Sequence, residues 1–281
     1  MRLTVDSHDV YCHTGGKAFD PALPVIMLLH GAQNDHSVWA LQSRALAHRG
    51  YALLAPDLPG HGRSGGPPLA SIEALAVWAL AVLEAAGAPR ALLAGHSMGA
   101  LIALEAAHRA PHRASGLALL GATYPMKVAD ALLETARTAP QTAIEMVAAW
   151  SHAGWLPGPS TAGPGTSVAN TARRLMQRMA ARGAAQLFHT DFAACNAYAN
   201  GEAAAASIAC PALCVLGRKD VMTPPRSAAL LTATLAHCRV VTVDAGHALM
   251  AEAPDAVLDA LLDLAGTVVT RDGARRGEPS R

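Results

Sequence analysis

The chain has 281 residues, of which 52% are hydrophobic, and its formal net charge is +1 with histidine neutral. An apolar share of this size is sufficient to bury a large core, and it excludes a chain that is disordered throughout. The nearly balanced charge, without a basic stripe, gives no reason to expect a nucleic acid as partner.

The N-terminal segment MRLTVDSHDV lacks the apolar stretch of a secretory signal. No uninterrupted apolar run approaches the roughly 20 residues that span a bilayer. The cysteines are scattered and odd in number, which argues against a disulfide framework and fits a reducing compartment. We therefore expect a cytoplasmic protein that has no membrane partner. The five cysteines are Cys12, Cys195, Cys210, Cys214 and Cys238.

Short apolar runs recur along the chain, and each is followed by turn residues. Runs that are hydrophobic throughout are typical of parallel strands covered on both faces. A short antiparallel hairpin is predicted to precede them at the sheet edge, over 3–5 and 10–12. The predicted parallel strands cover 25–29, 51–55, 91–94, 117–120, 212–216 and 239–243.

Segments between these runs show the spacing of amphipathic helices. One begins after Ser37 as a plausible N-cap and stops at Gly50, and others cover 72–83 and 98–109. The alternation of strand and helix predicts an α/β sheet with right-handed crossovers.

The alternation breaks between residues 122 and 210, where helical patterns occur without a convincing strand. We predict helices over 126–138, 142–152, 168–181 and 184–199, with a Gly/Pro-rich loop at 154–165 as a lid or hinge candidate. The domain prediction is therefore a core of 1–121 and 211–270, a helical cap insertion at 122–210, and a flexible tail at 271–281.

The most informative segment is Gly95-His96-Ser97-Met98-Gly99, which follows a predicted strand and opens a predicted helix. In that context a G-x-S-x-G motif presents a nucleophile, because its glycines permit a sharp strand-to-helix turn. Ser97 would adopt strained backbone geometry there, with its hydroxyl above the sheet. The helix N-terminus supplies positive potential and free N–H groups where negative charge develops. We predict Ser97 as the nucleophile.

A nucleophilic serine needs a base, and the base needs an acid that orients it. Asp220 follows the strand predicted at 212–216, and His247 follows the one at 239–243. Both residues therefore fall at the sheet edge that carries Ser97, where open α/β sheets place their sites. The chain order Ser97, Asp220, His247 is also the order expected after this motif.

Together these segments resemble the α/β-hydrolase superfamily, most of all its serine esterase, enol-lactonase and perhydrolase branch. The resemblance extends from residue 1 to about 266 and rests on LHG (29–31), DLPGHGRS (57–64), GHSMG (95–99), GRKD (217–220) and GH with EAP (246–254). It implies a mostly parallel sheet of about eight strands, with helices on both faces and an inserted all-helical cap. It also implies that the backbone amides of Ala32 and Met98 form the oxyanion hole.

Other polar residues near these motifs have simpler interpretations. His30 and His61 belong to loops of the resemblance and are expected to shape turns rather than transfer protons. His96 is expected to point away from the nucleophile, although a place in the pocket wall stays open. Asp57 is an alternative to Asp220 as the acid, but its loop is typically structural in this superfamily.

The spacing of cysteine and histidine residues along the chain gives little support for a metal site. Cys210 and Cys214 have no second cysteine or histidine pair nearby, and Pro111 interrupts the helix that would align His108 with His112. We predict neither a metal nor a cofactor.

The predicted function is a serine hydrolase that cleaves a small carboxylic ester by a Ser-His-Asp acyl-enzyme mechanism. Alternatives on the same scaffold are a lactonase, a carbon–carbon bond hydrolase of aromatic degradation, a thioesterase and a cofactor-free perhydrolase. Haloalkane dehalogenases and epoxide hydrolases use aspartate as nucleophile, so Ser97 argues against them. A small-molecule receptor on a hydrolase scaffold is the alternative from another class. The expected partner is a small-molecule substrate, and homo-oligomerisation stays open.

Overall fold

The computed structural model describes residues 1–153, 167–182, 184 and 186–275. Its strands are β1 (Arg2–Val5), β2 (His8–His13), β3 (Val25–Leu29), β4 (Ala52–Pro56), β5 (Ala91–His96), β6 (Ala114–Leu120), β7 (Ala212–Gly217) and β8 (Cys238–Val243). They form one sheet in the order β1-β2-β4-β3-β5-β6-β7-β8. β1 and β2 pair antiparallel at the edge, while β3 to β8 are parallel. The predicted eight-stranded, mostly parallel sheet is confirmed.

Burial on both faces explains why the central strands lack polar alternation. Every residue of β3, β5, β6 and β7 is buried. The first residues of β6 were missed in the sequence, because Gly116 is a weak strand former. A Cβ at Gly116 would lie 2.8 Å from the Val268 side chain, so a helix packed on the sheet requires glycine there.

The helices connect and cover these strands. Their bounds are α1 (Ala40–His48), α2 (Ile72–Ala85), α3 (Met98–Arg109), α4 (Asp130–Thr138), α5 (Pro140–Trp150), α6 (Val168–Arg182), α7 (Leu187–Ala197), α8 (Gly201–Ala206), α9 (Ala229–Thr234), α10 (Leu249–Glu252) and α11 (Pro254–Arg275). One apolar core joins the sheet to α2 and α3, and a second joins its opposite face to α1 and α11. Helices therefore lie on both faces, as predicted.

The start of α1 differs from the prediction. Ser37 was expected to cap this helix, but it lies inside a 3-10 turn over His36–Trp39 that precedes α1. The Asp35 side chain caps that turn by accepting a hydrogen bond from the Ser37 amide at 2.9 Å. An aspartate two residues earlier provides the same acceptor, so capping preference alone did not separate the two positions.

In the described residues between β6 and β7 there are five helices, α4 to α8. α4 begins four residues later than predicted, and the short alanine-rich α8 was not predicted. Their apolar faces form a separate cluster that includes Leu132, Ile144, Val147, Phe188 and Phe192. The loop predicted at 154–165 lies outside the described residues, and the domain limits at 122 and 210 stay a prediction.

At the C-terminus α11 continues to Arg275, so residues 271–275 of the predicted tail are helical. The five cysteines are free thiols, although the sulfur atoms of Cys214 and Cys238 lie 3.3 Å apart on neighbouring strands. None of the described helices combines the length and apolar character that a bilayer crossing requires.

Candidate active site

Ser97 occupies the turn between β5 and α3. Its φ of 54° and ψ of −118° lie outside the regions that side chains with a Cβ favour. The Ser97 amide donates to the Leu120 carbonyl at 2.9 Å, which holds the strained turn against the neighbouring strand. This is the backbone geometry predicted from the G-x-S-x-G motif.

Two glycines make this turn sterically feasible. A Cβ on Gly95 would overlap the Gly99 carbonyl, and a Cβ on Gly99 would overlap the Leu29 carbonyl. Gly31 is also closely confined, because its Cβ would lie 3.2 Å from that of Ser97. The glycines of the motif thus let β3, β5 and α3 approach one another around Ser97.

Asp220 and His247 form a buried hydrogen-bonded pair. The Nδ1 atom of His247 lies 2.8 Å from Oδ2 of Asp220, and the two residues are 6% and 3% exposed. The Thr223 hydroxyl donates to the same oxygen at 2.7 Å, while the Thr223 and Met222 amides donate to Oδ1 at 2.8 Å each. Burial alone would raise the pKa of Asp220, but the hydrogen bond and charge of His247 and the bonds from Thr223 lower it to about 2.

This pairing sets the orientation of the imidazole. A carboxylate only accepts, so Nδ1 of His247 carries a proton, and in the neutral ring Nε2 is the basic nitrogen. His247 and Ser97 line the same cavity, which lies at the carboxyl ends of the parallel strands. The structure therefore brings the three predicted residues to one edge of the sheet. Thr223 was missed in the sequence, because nothing distinguishes it from other loop threonines.

The predicted oxyanion donors also lie at this edge. Ala32 lines the cavity, and Met98 is the first residue of α3. Within the described part of the chain, neither backbone amide donates to a protein acceptor. Amides without an acceptor beside a nucleophile can stabilise a developing negative charge.

His96 was expected to point away from the nucleophile, with a place in the pocket wall left open. In the structure it lines the cavity beside His247. Its Nε2 lies 2.8 Å from the His247 backbone carbonyl, which only accepts, so Nε2 is the protonated nitrogen. Burial, and then the nearby His247 imidazole, lower the pKa of His96 to about 3. A neutral His96 thus supports the loop that carries His247. No local pattern indicated this contact, because 151 residues separate the two.

Glu252 connects the His247 loop to α5. Its two carboxylate oxygens accept from the amides of Gly246 and Ala153 at 2.8 Å each. The Ala248 amide adds a bond to the Ser151 carbonyl at 2.9 Å. The backbone on both sides of His247 is therefore attached to the first part of the helical insertion. In the sequence, Glu252 belonged only to the EAP segment of the family resemblance.

Asp57, the alternative acid, lies elsewhere. Its Oδ1 accepts from Nδ1 of His36 at 2.7 Å, and its Oδ2 accepts from the Arg63 amide at 2.8 Å. Asp35, His36 and Asp57 form a group whose ligand atoms lie within 4.8 Å of one another, close enough to share a metal ion. His36 and Asp57 bond to each other, and Asp35 accepts from the Ser37 amide, which fits a loop-bracing role and keeps Asp57 apart from His247.

A cavity of about 280 Å³ lies over Ser97. The core and the helical insertion both contribute to its wall, and most of the lining is apolar. Asn34, Ser37 and His152 add a few polar groups, and Arg178 adds a cationic one. Such a cavity suits a small, largely apolar molecule with one polar centre at the serine. Its apolar side chains include Val38, Leu41, Val147, Leu175, Met176, Phe192, Met222 and Met250.

Comparison with known proteins shows the family. A family model described as alpha/beta hydrolase fold matches residues 24–254. Epoxide hydrolase A of Mycobacterium tuberculosis is 38% identical over 95 residues, which is 32% of this chain and 29% of that protein. The chain spans about a third of the length of the curated relatives it matches.

Solved structures share the fold over nearly the whole chain. A thermophilic esterase from Thermogutta terrifontis has a TM-score of 0.78 and 21% identity, covering 95% of this chain and 98% of that one. An enol-lactonase from Burkholderia xenovorans has a TM-score of 0.76 and 23% identity, covering 94% and 99%. With the family match and the nucleophile turn, these likenesses lead to one conclusion: the chain belongs to the alpha/beta hydrolase fold family.

Proposed function

We propose that this hydrolase cleaves a small carboxylic ester in the cytoplasm by a two-step acyl-enzyme mechanism. Nε2 of His247 accepts the Ser97 proton as the hydroxyl oxygen attacks the ester carbonyl. The Asp220 carboxylate holds the imidazole tautomer and stabilises the imidazolium. The amides of Ala32 and Met98 donate to the oxyanion. The imidazolium then protonates the departing alcohol, and a water activated by His247 hydrolyses the acyl-enzyme.

The observation that carries the proposal is the pairing of a strained serine with an oriented histidine in one cavity. A structural serine gains nothing from a positive φ, whereas a nucleophile gains exposure at a helix N-terminus. A histidine with a purely structural role does not need a buried, ionised carboxylate bound to its Nδ1, whereas a general base next to a serine does. The pair supports acyl transfer and does not depend on the substrate's identity.

The cavity supports the substrate class. Its largely apolar lining favours short or medium acyl chains or small aromatic groups, and Arg178 places one cationic side chain in the same wall. Ser97 supports an ester rather than an epoxide, because epoxide hydrolases use aspartate as nucleophile.

The test is hydrolysis of a p-nitrophenyl ester series of increasing acyl length by the wild type, Ser97→Ala and Ser207→Ala. We expect Ser97→Ala to lower kcat by at least about 10³-fold, because nucleophile and base act as one unit. Ser207 bonds to the Ala204 carbonyl and to His108, away from the cavity, so Ser207→Ala should retain wild-type turnover. Equal activity of the wild type and Ser97→Ala would overturn the mechanism.

A second measurement separates enzyme classes. A fluorophosphonate should label Ser97 covalently, and mass spectrometry of the peptide would locate the adduct. Labelling without ester turnover would direct the search to lactones, thioesters, carbon–carbon bonds or peracid formation. The absence of both would favour a receptor on this scaffold.

A further inference from the structure

Asp191 is a buried carboxylate that lies outside the proposed triad. It belongs to α7 in the helical insertion and is 1% exposed. Its Oδ2 accepts from the Gln33 amide at 2.8 Å and from Nε2 of His61 at 2.9 Å. One oxygen atom thus joins α7, the loop after β3 and the loop after β4.

The hydrogen bonds of His61 define its charge. Nδ1 lies 3.0 Å from the Pro59 carbonyl and Nε2 faces Asp191, so both nitrogens meet groups that only accept. The ring must therefore carry two protons. Burial alone would lower the pKa of His61, but the charge and hydrogen bond of Asp191 raise it above the ordinary value. The neighbouring His30 stays neutral, because its Nε2 accepts from the Leu58 amide.

The other partner of Asp191 is in an unfavourable backbone conformation. Gln33 has a φ of 56°, in the left-handed region that a residue with a side chain adopts at a steric penalty. Its side-chain Nε2 donates to the Met176 carbonyl in α6 at 3.2 Å. Backbone and side chain of Gln33 are thus both held by the helical insertion.

Gln33 directly follows Ala32, which lines the cavity and whose amide has no acceptor among the described residues. Fixing the Gln33 amide fixes the peptide plane after Ala32. The Ala32 N–H lies in the preceding plane, whose Gly31 carbonyl accepts from the Asn34 amide at 3.3 Å. A preorganised donor stabilises an oxyanion because it does not reorient during the reaction. The contact from α7 therefore acts on the orientation of one proposed oxyanion donor.

We propose that Asp191, paired with protonated His61, is a positioning residue that orients the Ala32 amide toward the oxyanion. The inference rests on the proposed function, since Ala32 has this role only if Ser97 attacks a carbonyl or an equivalent centre. It assigns a catalytic consequence to the helical insertion, whose Asp191 holds a loop of the core in its active conformation.

Asp191→Asn tests this with little change in side-chain volume. Without the negative charge of the carboxylate, the protonated form of His61 is no longer stabilised. The Nε2 atom of the neutral ring is then an acceptor and requires a donor. The new amide must turn its N–H group toward that nitrogen, which deprives Gln33 of its acceptor. Asp191→Ala, which removes both acceptor oxygens, is the second variant in case Asp191→Asn does not fold.

Glu105→Gln is the matched control. Glu105 is a fully buried carboxylate that accepts from Tyr198 at 2.8 Å, Asn200 at 2.9 Å and Arg109 at 2.6 Å. It has a similar number of partners but no contact with the Gln33 loop. A general loss of folded structure should therefore affect both variants, whereas a loss of oxyanion positioning should affect only Asp191→Asn.

Two rates are measured, that of ester hydrolysis and that of phosphonate labelling. Both are divided by the concentration of Ser97 that the phosphonate can label, so that unfolded protein is not included. We expect Asp191→Asn to lower kcat for p-nitrophenyl esters by about 10²-fold with KM changed less than about threefold, as for loss of one oxyanion donor. The second-order rate of phosphonate labelling should fall in parallel, and Glu105→Gln should retain both rates.

Wild-type rates in Asp191→Asn and Asp191→Ala, or equal losses in Asp191→Asn and Glu105→Gln, would overturn the inference. Failure of the proposed function looks different. If the wild type labels with phosphonate but hydrolyses no ester, the ester assignment fails, while the labelling rates of the variants still decide the role of Asp191.

Discussion

Mild acid should destabilise this fold through two buried histidines, His30 and His96. Burial, and then the neighbouring imidazoles of His61 and His247, lower the pKa of His30 to about 4 and that of His96 to about 3. In the unfolded chain a histidine titrates near ~6.5. Because the folded values are depressed, the unfolded state binds protons more readily. The stability contributed by the neutral rings is therefore lost as the pH falls from about 6.5 toward the folded values.

The size of this loss follows from proton linkage. When the pH falls from 7 to 5, the free energy of unfolding decreases by about 2 kcal/mol for each histidine that stays neutral in the folded state. The two together cost about 4 kcal/mol, a large part of the usual 5–15 kcal/mol. Asp220 adds little in this window, because its stabilising charge is lost only below about pH 4. His61 has the opposite sign: its contribution is complete below about 6.5 and is lost as the pH rises through its raised pKa.

The assay is urea unfolding of the wild type and of His96→Gln at pH 7 and pH 5. The glutamine amide can still donate to the His247 carbonyl, but it does not titrate. We expect the wild type to lose about 2 kcal/mol more than the variant between the two pH values, because the contributions of His30 and His61 are common to both proteins. The reasoning is refuted if both proteins lose the same free energy, because the buried His96 would then have no linkage to protons.

Two further substitutions, Gly99→Ala and Thr223→Val, test the geometry of the site, and Gly266→Ala is the control for the first. Gly99→Ala should abolish soluble expression, because the added Cβ overlaps the Leu29 carbonyl. Gly266 lies in α11, where an added Cβ would meet no atom within 4 Å. Gly266→Ala should therefore stabilise the protein by about 0.5–1 kcal/mol in thermal unfolding. Thr223→Val should cost about 1–3 kcal/mol and lower kcat, because Asp220 loses a buried donor. A Thr223→Val protein with unchanged stability and turnover, or soluble and active Gly99→Ala, would contradict the geometry described above.

Much of the fold could be read from local patterns. The strand over 25–29 and the helix over 98–109 were predicted with the bounds observed, since continuous apolar runs and glycine-bounded turns act within a few residues. The same locality revealed Ser97, whose turn is built by its immediate neighbours. The positions of Asp220 and His247 followed from the rule that parallel strands end at a common edge.

Errors arose where local preferences compete or are weak. Asp35 and Ser37 are both good caps, and only the folded backbone shows that Asp35 caps the 3-10 turn. The alanine-rich α8 has little periodicity, because alanine fits a helix without marking a buried face. Apolar spacing alone therefore placed the helices of the insertion less accurately than the strands of the core.

The sequence by itself determined the sheet, the nucleophile turn and the order of the proposed triad, because each depends on short-range patterns or on general rules of topology. Only the tertiary structure decided the contacts that hold the site in place. Gln33 and Asp191 are 158 residues apart, and His96 and His247 are 151 apart. No pattern connects them, because a buried polar side chain can meet any complementary group that packing brings near. The geometry of the active site thus depends on packing between the core and the helices inserted into it.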